Sequence, residues 1–416
     1  MNIELINTGT ELLLGRVLNT HQQWLGAELA NLGFPVTRQV TIPDSGPAME
    51  TALRDALGRA DLVITTGGLG PTSDDITREL IAQLLGIQLK LDRDILAQIE
   101  KFFAIRNRAV PSNAFKQAMI PEGAIVLLNT NGTAPGLALS IPGSALTVKK
   151  WLIMLPGPPR ELQPMFTEQV IPILRREFGT PTFVCRTFKT TGLGEAFIEQ
   201  RIAPHLERLV NAGIELGYCA KVGQVEVRLS ARNADTARFM SEAEAIVHQQ
   251  LGTYIFASNE VSLEEVVVSR LAGKHQTLAL AESCTGGLIS NRITNVPGAS
   301  AIFIAGLITY SNEAKQMLLG VRTETLERHG AVSEQTAREM AEGARTRHKT
   351  DYAIAVTGIA GPTGGTTDKP VGTVFIGLAM PGNTIIEKNF NPYDRETFKY
   401  LTSQQALDLL RKNLGS

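Results

Sequence analysis

The sequence predicts an α/β protein built in three successive parts. Three observations carry that reading. Over residues 1–172, short apolar β-rich runs alternate with helical patterns, as in βαβ units with a parallel sheet covered on both faces. Over residues 173–257 the pattern changes to three strands and two helices, a small α+β module. Over residues 258–416 strands and helices alternate again, with strand pairs near the end that imply a mixed sheet with helices packed on it.

In the first part the strands are IELINT, VTRQVTI and LVITT, separated by helical patterns through Trp24 to Leu32 and Met49 to Leu57, with a further helix from Asp75. The segment LIMLPGPPRELQPMF closes it, because its prolines end one strand and open one helix. In the middle part the strands are TFVCRTFKTT, GIELGYCA and VEVRLSAR, with helices near Glu195 to Leu209 and Asp235 to Leu251. The last part opens on VSLEEVVVSRLAG, where Leu263, Val266, Val267 and Leu271 recur at helical spacing. It continues as strand QTLALAES, a helix from Thr285, strand IFIAGLITY, helices to about Arg347, strands YAIAVTG, VGTVFIGLAM and NTIIEKNF, and a closing helix from Asp394 to Leu414.

A chain of 416 residues exceeds what one core usually holds, so two or three domains are expected. Lys plus Arg number 40 against 41 Asp plus Glu, which supplies no global positive field and disfavours nucleic acid as partner. Three scattered cysteines, Cys185, Cys219 and Cys284, make neither a disulfide framework nor a zinc cluster and fit a reducing cytoplasm. The N-terminus lacks a signal-like stretch, and no apolar run reaches the roughly 18 residues of a membrane span. A soluble, cytoplasmic protein is the expectation.

AESCTGG, residues 281–287, lies where an apolar strand ends and a helix begins, a placement at which enzymes expose nucleophiles. Ser283 is the candidate nucleophile, and the amides of Gly286 and Gly287 are candidate donors to an oxyanion or phosphate, with Thr285 beside them. The competing reading is that Ser283 or Thr285 only caps the helix. A serine needs a base. His275, His329 and His348 stand in no strand-end or glycine-flanked context, whereas Lys315 follows the strand IFIAGLITY. A desolvated lysine can be neutral enough to take a proton, and Tyr310 at the strand end could relay or orient it. A solvated helix lysine is the alternative. TGIAGPTGG (357–365) supplies Thr357 and Gly358 at a second glycine-rich strand end, either a shared pocket edge or a flexible hairpin. Arg395 opens the last helix as a candidate phosphate anchor.

AESCTGG, Val296-Pro-Gly-Ala-Ser300, TYSNEAK, GAVS (330–333), TGIAGPTGG and KPVGTV, in that order, resemble the CinA C-terminal family, the nicotinamide-mononucleotide amidohydrolases. The resemblance implies hydrolysis of the carboxamide of nicotinamide mononucleotide to nicotinate mononucleotide and ammonia. It places the nucleophile on Ser283 and the base on Lys315, with Tyr310 and Thr357 as supporting groups, Arg395 at the phosphate, and no metal. Ala305 stands where the family commonly has a second glycine.

GTELLLG (9–15) and TTGGLGPTSDDIT (65–77) each follow a strand. Gly9, Gly67, Gly68, Gly70 and Thr72 offer backbone and hydroxyl donors for phosphate, and acidic residues follow that could hold a divalent ion. Alternatively Asp74 and Asp75 only cap a helix. With Asn19-Thr20, Pro43-Asp44, NGTAPG (131–136) and LPGPPREL (155–162), these strings resemble the molybdopterin-binding domain of molybdenum-cofactor biosynthesis proteins, in the version found at the N-terminus of CinA proteins. His21 stands where an asparagine is more usual.

That second resemblance implies metal-dependent cleavage of ADP-ribose to AMP and ribose 5-phosphate, with Mg, Mn or Co as the divalent metal. Asp75 and Asp44 are its candidate metal ligands, and Glu11 lies in the first glycine loop. The middle module resembles the KH-like insert of the same proteins but has no GxxG loop flanked by basic residues, so a structural or dimerising role is expected over RNA binding. The expectation for the whole is a bifunctional hydrolase of pyridine-nucleotide salvage, with a homodimer implied by the resemblance. A non-catalytic adaptor in competence or recombination, or a pterin-binding N-terminal domain, stands as the alternative.

Overall fold

The buried β-branched runs near the N-terminus become central strands. The computed structural model describes residues 1–142, 149–179 and 183–415. Among them the chain divides into two units, Met1–Cys185 with Arg232–Ala234, and Arg186–Ala231 with Asp235–Ser416.

The first unit carries β1 (Ile3–Thr8), β2 (Arg38–Ile42), β3 (Leu62–Thr66), β4 (Leu89–Leu91), β5 (Met119–Pro121), β6 (Ile125–Leu127), β7 (Gly136–Pro142) and β8 (Lys149–Leu155). The main sheet runs β2-β1-β3-β8-β7-β6, and β4 pairs with β5. The first four of that order are parallel, as expected, while β7 runs antiparallel to both of its neighbours, β8 and β6, so the sheet is mixed. Antiparallel neighbours need only a short connection, and the loop between β6 and β7 supplies one. Alternate residues of β3 face opposite cores: Leu62 and Ile64 meet Leu25 and Leu29 of helix Thr20–Asn31, and Val63 meets Met49 and Leu53 of helix Gly46–Arg59. The helix expected from Asp75 begins at Thr77 and runs to Leu85.

In the second unit β9 (Val184–Thr191), β10 (Glu215–Lys221), β11 (Gln224–Ala231) and β12 (Ile255–Ala257) form a sheet in the order β10-β11-β9-β12. Helices Glu195–Asn211 and Met240–Leu251 cover it. β12 was not foreseen, since three residues carry too little periodicity to read. Thr182, where the sequence pattern starts the module's first strand, lies outside the described residues.

The rest of the unit is a five-stranded sheet of β13 (Leu278–Glu282), β14 (Phe303–Ile308), β15 (Tyr352–Gly358), β16 (Thr373–Met380) and β17 (Asn383–Phe390), ordered β14-β13-β15-β16-β17. The first three are parallel and β16 runs antiparallel to both β15 and β17, the mixed sheet that the sequence predicts. β13 alternates large and small residues. Leu278 and Leu280 pack with helices Leu263–Gly273 and Arg395–Asn413, while Ala279 and Ala281 lie under helix Glu334–His348. The alanine face lets that helix approach closely: a Cβ on Gly377 would stand 2.8 Å from the carbonyl of Ala337. Helix Leu263–Gly273 is anchored by a capping box of Ser262 and Glu265 and buries Leu263, Val267, Val268 and Leu271, with Val266 only partly covered. Among the described residues no helix is long and apolar enough to cross a membrane.

Candidate active sites

Ser283 and Lys315 are 32 residues apart in sequence, and strand register brings them together. β13 and β14 run parallel with Glu282 opposite Ile308, so their C-terminal ends emerge side by side. The Ser283 amide is tied to the Val356 carbonyl at 3.0 Å and the Thr309 amide to that of Glu282 at 2.8 Å. Ser311 then caps helix Asn312–Leu319. Side chains on a helix lean toward its N-terminus, and this returns Lys315 over the strand end.

Lys315 is 1% exposed, and its amine donates to the Thr309 carbonyl at 3.0 Å and to the Tyr310 carbonyl at 3.2 Å and lies 3.2 Å from Ser283 Oγ. The alternative of a solvated helix lysine is thereby overturned. A neutral amine has two N–H groups and one lone pair. Two carbonyls match the two N–H groups, which leaves the lone pair for the Ser283 hydroxyl. Burial pushes the Lys315 amine below the ordinary lysine range, against the opposing pull of the Cys284 thiol and the Glu313 carboxylate. Cys284 sits next to Ser283, but burial raises its thiol to about 12, so it is not a competing thiolate.

The cap reading of Ser283 and Thr285 also fails. Helix Leu288–Thr294 begins at Gly287 in the left-handed region, φ 94°, with no side-chain cap at that position. Its N-terminal amides turn instead to Glu282, a residue that the sequence reading passed over. The Glu282 carboxylate, 1% exposed, accepts five hydrogen bonds, from the Thr285 hydroxyl, the amides of Gly287, Ile289 and Ser290, and the Ser290 hydroxyl. A carboxylate at a helix N-terminus is favoured by the exposed N–H groups, and this one fixes the loop that presents Ser283. The only signal for it was an acidic residue at the end of an otherwise apolar strand.

Several expected roles shift. The Gly286 amide is bonded to the Ser283 carbonyl and the Gly287 amide to Glu282, so neither is free for an oxyanion. The amides of Cys284 and Thr285 donate to no oxygen among the described residues. The Tyr310 phenol accepts from Arg395 Nη2 at 2.8 Å, so its contribution at Lys315 is a carbonyl and not a proton relay. Arg395 also donates to the Gly361 carbonyl and, with Lys399, lines a cavity of about 730 Å³ next to the serine loop. The Thr357 hydroxyl donates to the Ala331 carbonyl at 2.7 Å, a tie between loops. Gly358 has no room for a side chain against Thr373 and Val374. His329 and His348 each end a helix.

In the first unit one cavity of about 380 Å³ gathers Gly9, Glu11, Asp44, Gly67, Gly68, Gly70 and Asp75. Asp74, one of the acidic residues that follow the glycine turn, lines it too, as do Gln117 and Glu161, which the sequence does not single out. Gly67 and Gly68 need their freedom, with φ of 94° and 67°, and a Cβ on Gly68 would meet the Thr77 hydroxyl at 2.1 Å. The Gly9 amide is bonded to Ile42 and the Gly67 amide to Leu155, whereas those of Gly68, Leu69 and Gly70 donate to no oxygen among the described residues. Gln117 is 1% exposed, and its Oε1 has no partner among the described residues although it borders the cavity.

Asp75 does not cap the following helix. Its Oδ2 accepts from the Thr72 amide at 2.9 Å and from the Thr72 hydroxyl. Thr72 thus shapes the loop through Asp75. Asp44 accepts from the Thr10 amide at 2.8 Å and holds the first glycine loop. Among the described residues no group of three or more His, Cys, Asp or Glu is set to hold a metal ion. Glu11, Asp44, Asp74, Asp75 and Glu161 are the carboxylates that border the cavity.

Three family models match the chain: "Probable molybdopterin binding domain" over residues 4–176, "Damage-inducible protein CinA KH domain" over 185–257, and "CinA C-terminal domain" over 260–414. A CinA-like protein of Akkermansia muciniphila is 44% identical over 408 residues, covering 98% of this chain and 96% of that protein. A putative competence-damage inducible protein of Caldicellulosiruptor bescii is 46% identical over 418 residues, covering 100% of this chain and 99% of its own. A crystal structure of a competence/damage inducible protein from Agrobacterium tumefaciens, 40% identical, covers 38% of this chain and 100% of that one, with a TM-score of 0.35. With near-complete coverage at this identity, the chain belongs to the CinA family.

Proposed function

We propose that the second unit is an amide hydrolase acting on nicotinamide mononucleotide through Ser283 and Lys315. The observation that carries this reading is the buried Lys315 amine, 3.2 Å from Ser283 Oγ with both of its other directions spent on carbonyls. A buried lysine with no carboxylate partner costs stability, and such perturbed groups cluster where proton transfer is needed. The nicotinamide substrate is the one that the family resemblance implies.

The reaction is acyl transfer. The Ser283 hydroxyl passes its proton to Lys315 Nζ while Oγ bonds to the carboxamide carbon, and the amides of Cys284 and Thr285 receive the negative oxygen. The proton returns to the amide nitrogen, the C–N bond breaks and ammonia leaves. Water, deprotonated by the same amine, then cleaves the ester and restores the serine. Ammonia release from nicotinamide mononucleotide by the full chain, absent in Ser283→Ala, tests the reading.

For the first unit we propose cleavage of the diphosphate of ADP-ribose. The amides of Gly68 to Gly70 and the unpartnered Gln117 Oε1 suit a polar, phosphorylated ligand. A divalent cation, when bound, would neutralise diphosphate charge and would be held by Asp75 with Asp44, Asp74 or Glu161 beside it. The Gly67–Gly70 loop and Glu11 border the same cavity and would orient the ligand. AMP formation from ADP-ribose with and without added divalent metal tests this second activity.

A further inference from the structure

The cavity beside Ser283 has a wall that comes from the middle module. β10 and β11 are joined by a tight hairpin in which Lys221 faces Gln224, so Val222 and Gly223 form its tip. That tip lies on helix Arg395–Asn413: a Cβ on Gly223 would stand 3.0 Å from Gln404 Cγ and 3.1 Å from Leu401 Cδ1. The Thr191 hydroxyl holds the Gly223 carbonyl at 2.8 Å. Arg411, on the same helix, donates to the carbonyls of Thr253 and Ile255 at 2.6 and 3.3 Å and fastens the far end of the module.

Lys221 and Val222 therefore face Arg395, Lys399 and Tyr400 across the 730 Å³ cavity, with Leu288 beside the serine loop. This space borders the loop that carries Ser283. A Cβ on Gly286 would be 3.8 Å from Lys399 Nζ, and Arg395 holds the phenol of Tyr310, whose carbonyl holds Lys315. Among the lining residues Lys221, Arg395 and Lys399 are cationic and Glu396 anionic, three against one, a net charge of +2. A phosphate monoester carries about −1.5 to −2 at pH 7. Glu226 pairs with Lys221 at 2.6 Å from the next strand, does not line the cavity, and keeps the amine at its rim.

We infer that the middle module is a working part of the amide-hydrolase site: its hairpin closes the substrate pocket, Lys221 binds the nucleotide phosphate together with Arg395 and Lys399, and Val222 covers an apolar portion of the ligand. The inference rests on the amide-hydrolase reading for its ligand. It assigns the module a task that the five-stranded domain by itself leaves open, a cationic wall that sets preference for phosphorylated over unphosphorylated substrate.

The test uses the full chain with Ser283→Ala, so that ligand is bound and not consumed. Nicotinamide mononucleotide and nicotinamide riboside are each titrated by calorimetry, with and without Lys221→Ala or Lys221→Glu. Lys221→Ala weakens the mononucleotide by about three- to tenfold, since the amine is partly exposed and screened. Lys221→Glu weakens it further, and the riboside is unchanged by either. Thermal melting that matches the parent excludes misfolding. Unchanged mononucleotide affinity in both variants, equal loss for both ligands, or no mononucleotide binding at all overturns the inference. Ammonia release by the wild-type chain is measured separately. Lys221-dependent binding without ammonia sinks the reaction and leaves the pocket assignment standing, whereas ammonia release with Lys221-independent binding sinks the assignment alone.

Discussion

The two candidate sites sit at the C-terminal ends of parallel strands, yet they are prepared to very different degrees. At the serine site the groups that would react are buried and already in contact, with Lys315 held by two carbonyls and the serine loop held by Glu282. At the glycine-loop site the polar groups are spread around a cavity, and the carboxylate of Asp44 is spent on a neighbouring loop and that of Asp75 within its own. The contrast teaches what each chemistry asks of a fold. Proton transfer from serine needs one base at one distance, fixed in advance. Diphosphate cleavage needs charge neutralisation, which a bound divalent cation would supply, so the protein would contribute mainly backbone donors and scattered carboxylates. If so, substitutions at the serine site should be severe and local, and those at the other site graded.

The largest effect belongs to Lys315. Lys315→Ala should lower kcat/KM for ammonia release by about 10²- to 10⁴-fold. Lys315→Arg should not rescue it, because guanidinium stays protonated. In the wild type the neutral amine is the active form and burial holds its pKa below 10.5. Rate should therefore rise with pH through that lowered value and be lost as pH falls below it. A rate independent of pH from 6 to 10 would remove Lys315 as the base.

Glu282→Gln comes next. An amide cannot accept all five donors and brings N–H groups toward N–H groups, so the substitution should cost at least about 3 kcal/mol in denaturant unfolding and reduce ammonia release with it. Wild-type stability would show that helix Leu288–Thr294 does not depend on this carboxylate. At the other site Asp75→Asn should lower AMP formation by only about ten- to a hundredfold, since it loosens Thr72 and weakens one of several carboxylates. A loss as deep as that at Lys315 would erase the contrast between the sites. The smallest effect is expected at Cys284. With its thiol raised to about 12, iodoacetamide at pH 8 should leave ammonia release unchanged.

How far these features were legible follows from the kind of interaction behind each. The glycine strings and the strand-helix alternation were readable because turn chemistry and periodicity are local. Lys315 could be nominated from its place after a strand, but its burial depends on the pairing of β13 with β14, and register is a long-range property. Glu282 was missed because a carboxylate at a strand end reads as solvated, and only the helix folded back over it makes it a buried acceptor. The phenol of Tyr310 was assigned to the wrong neighbour, since nothing local shows that Arg395, 85 residues later, reaches it first. Likewise β6 and β12 are three residues each and carry no period to detect.

If Ser283 is the nucleophile of an amide hydrolase, ammonia release from nicotinamide mononucleotide by the 416-residue chain depends on its hydroxyl. Wild type should release one ammonia per nicotinate mononucleotide formed, and Ser283→Ala should fall by a factor on the order of 10⁴ or more while melting like the wild type. A wild-type chain that releases no ammonia, or an alanine variant that releases it at the wild-type rate, would contradict the account.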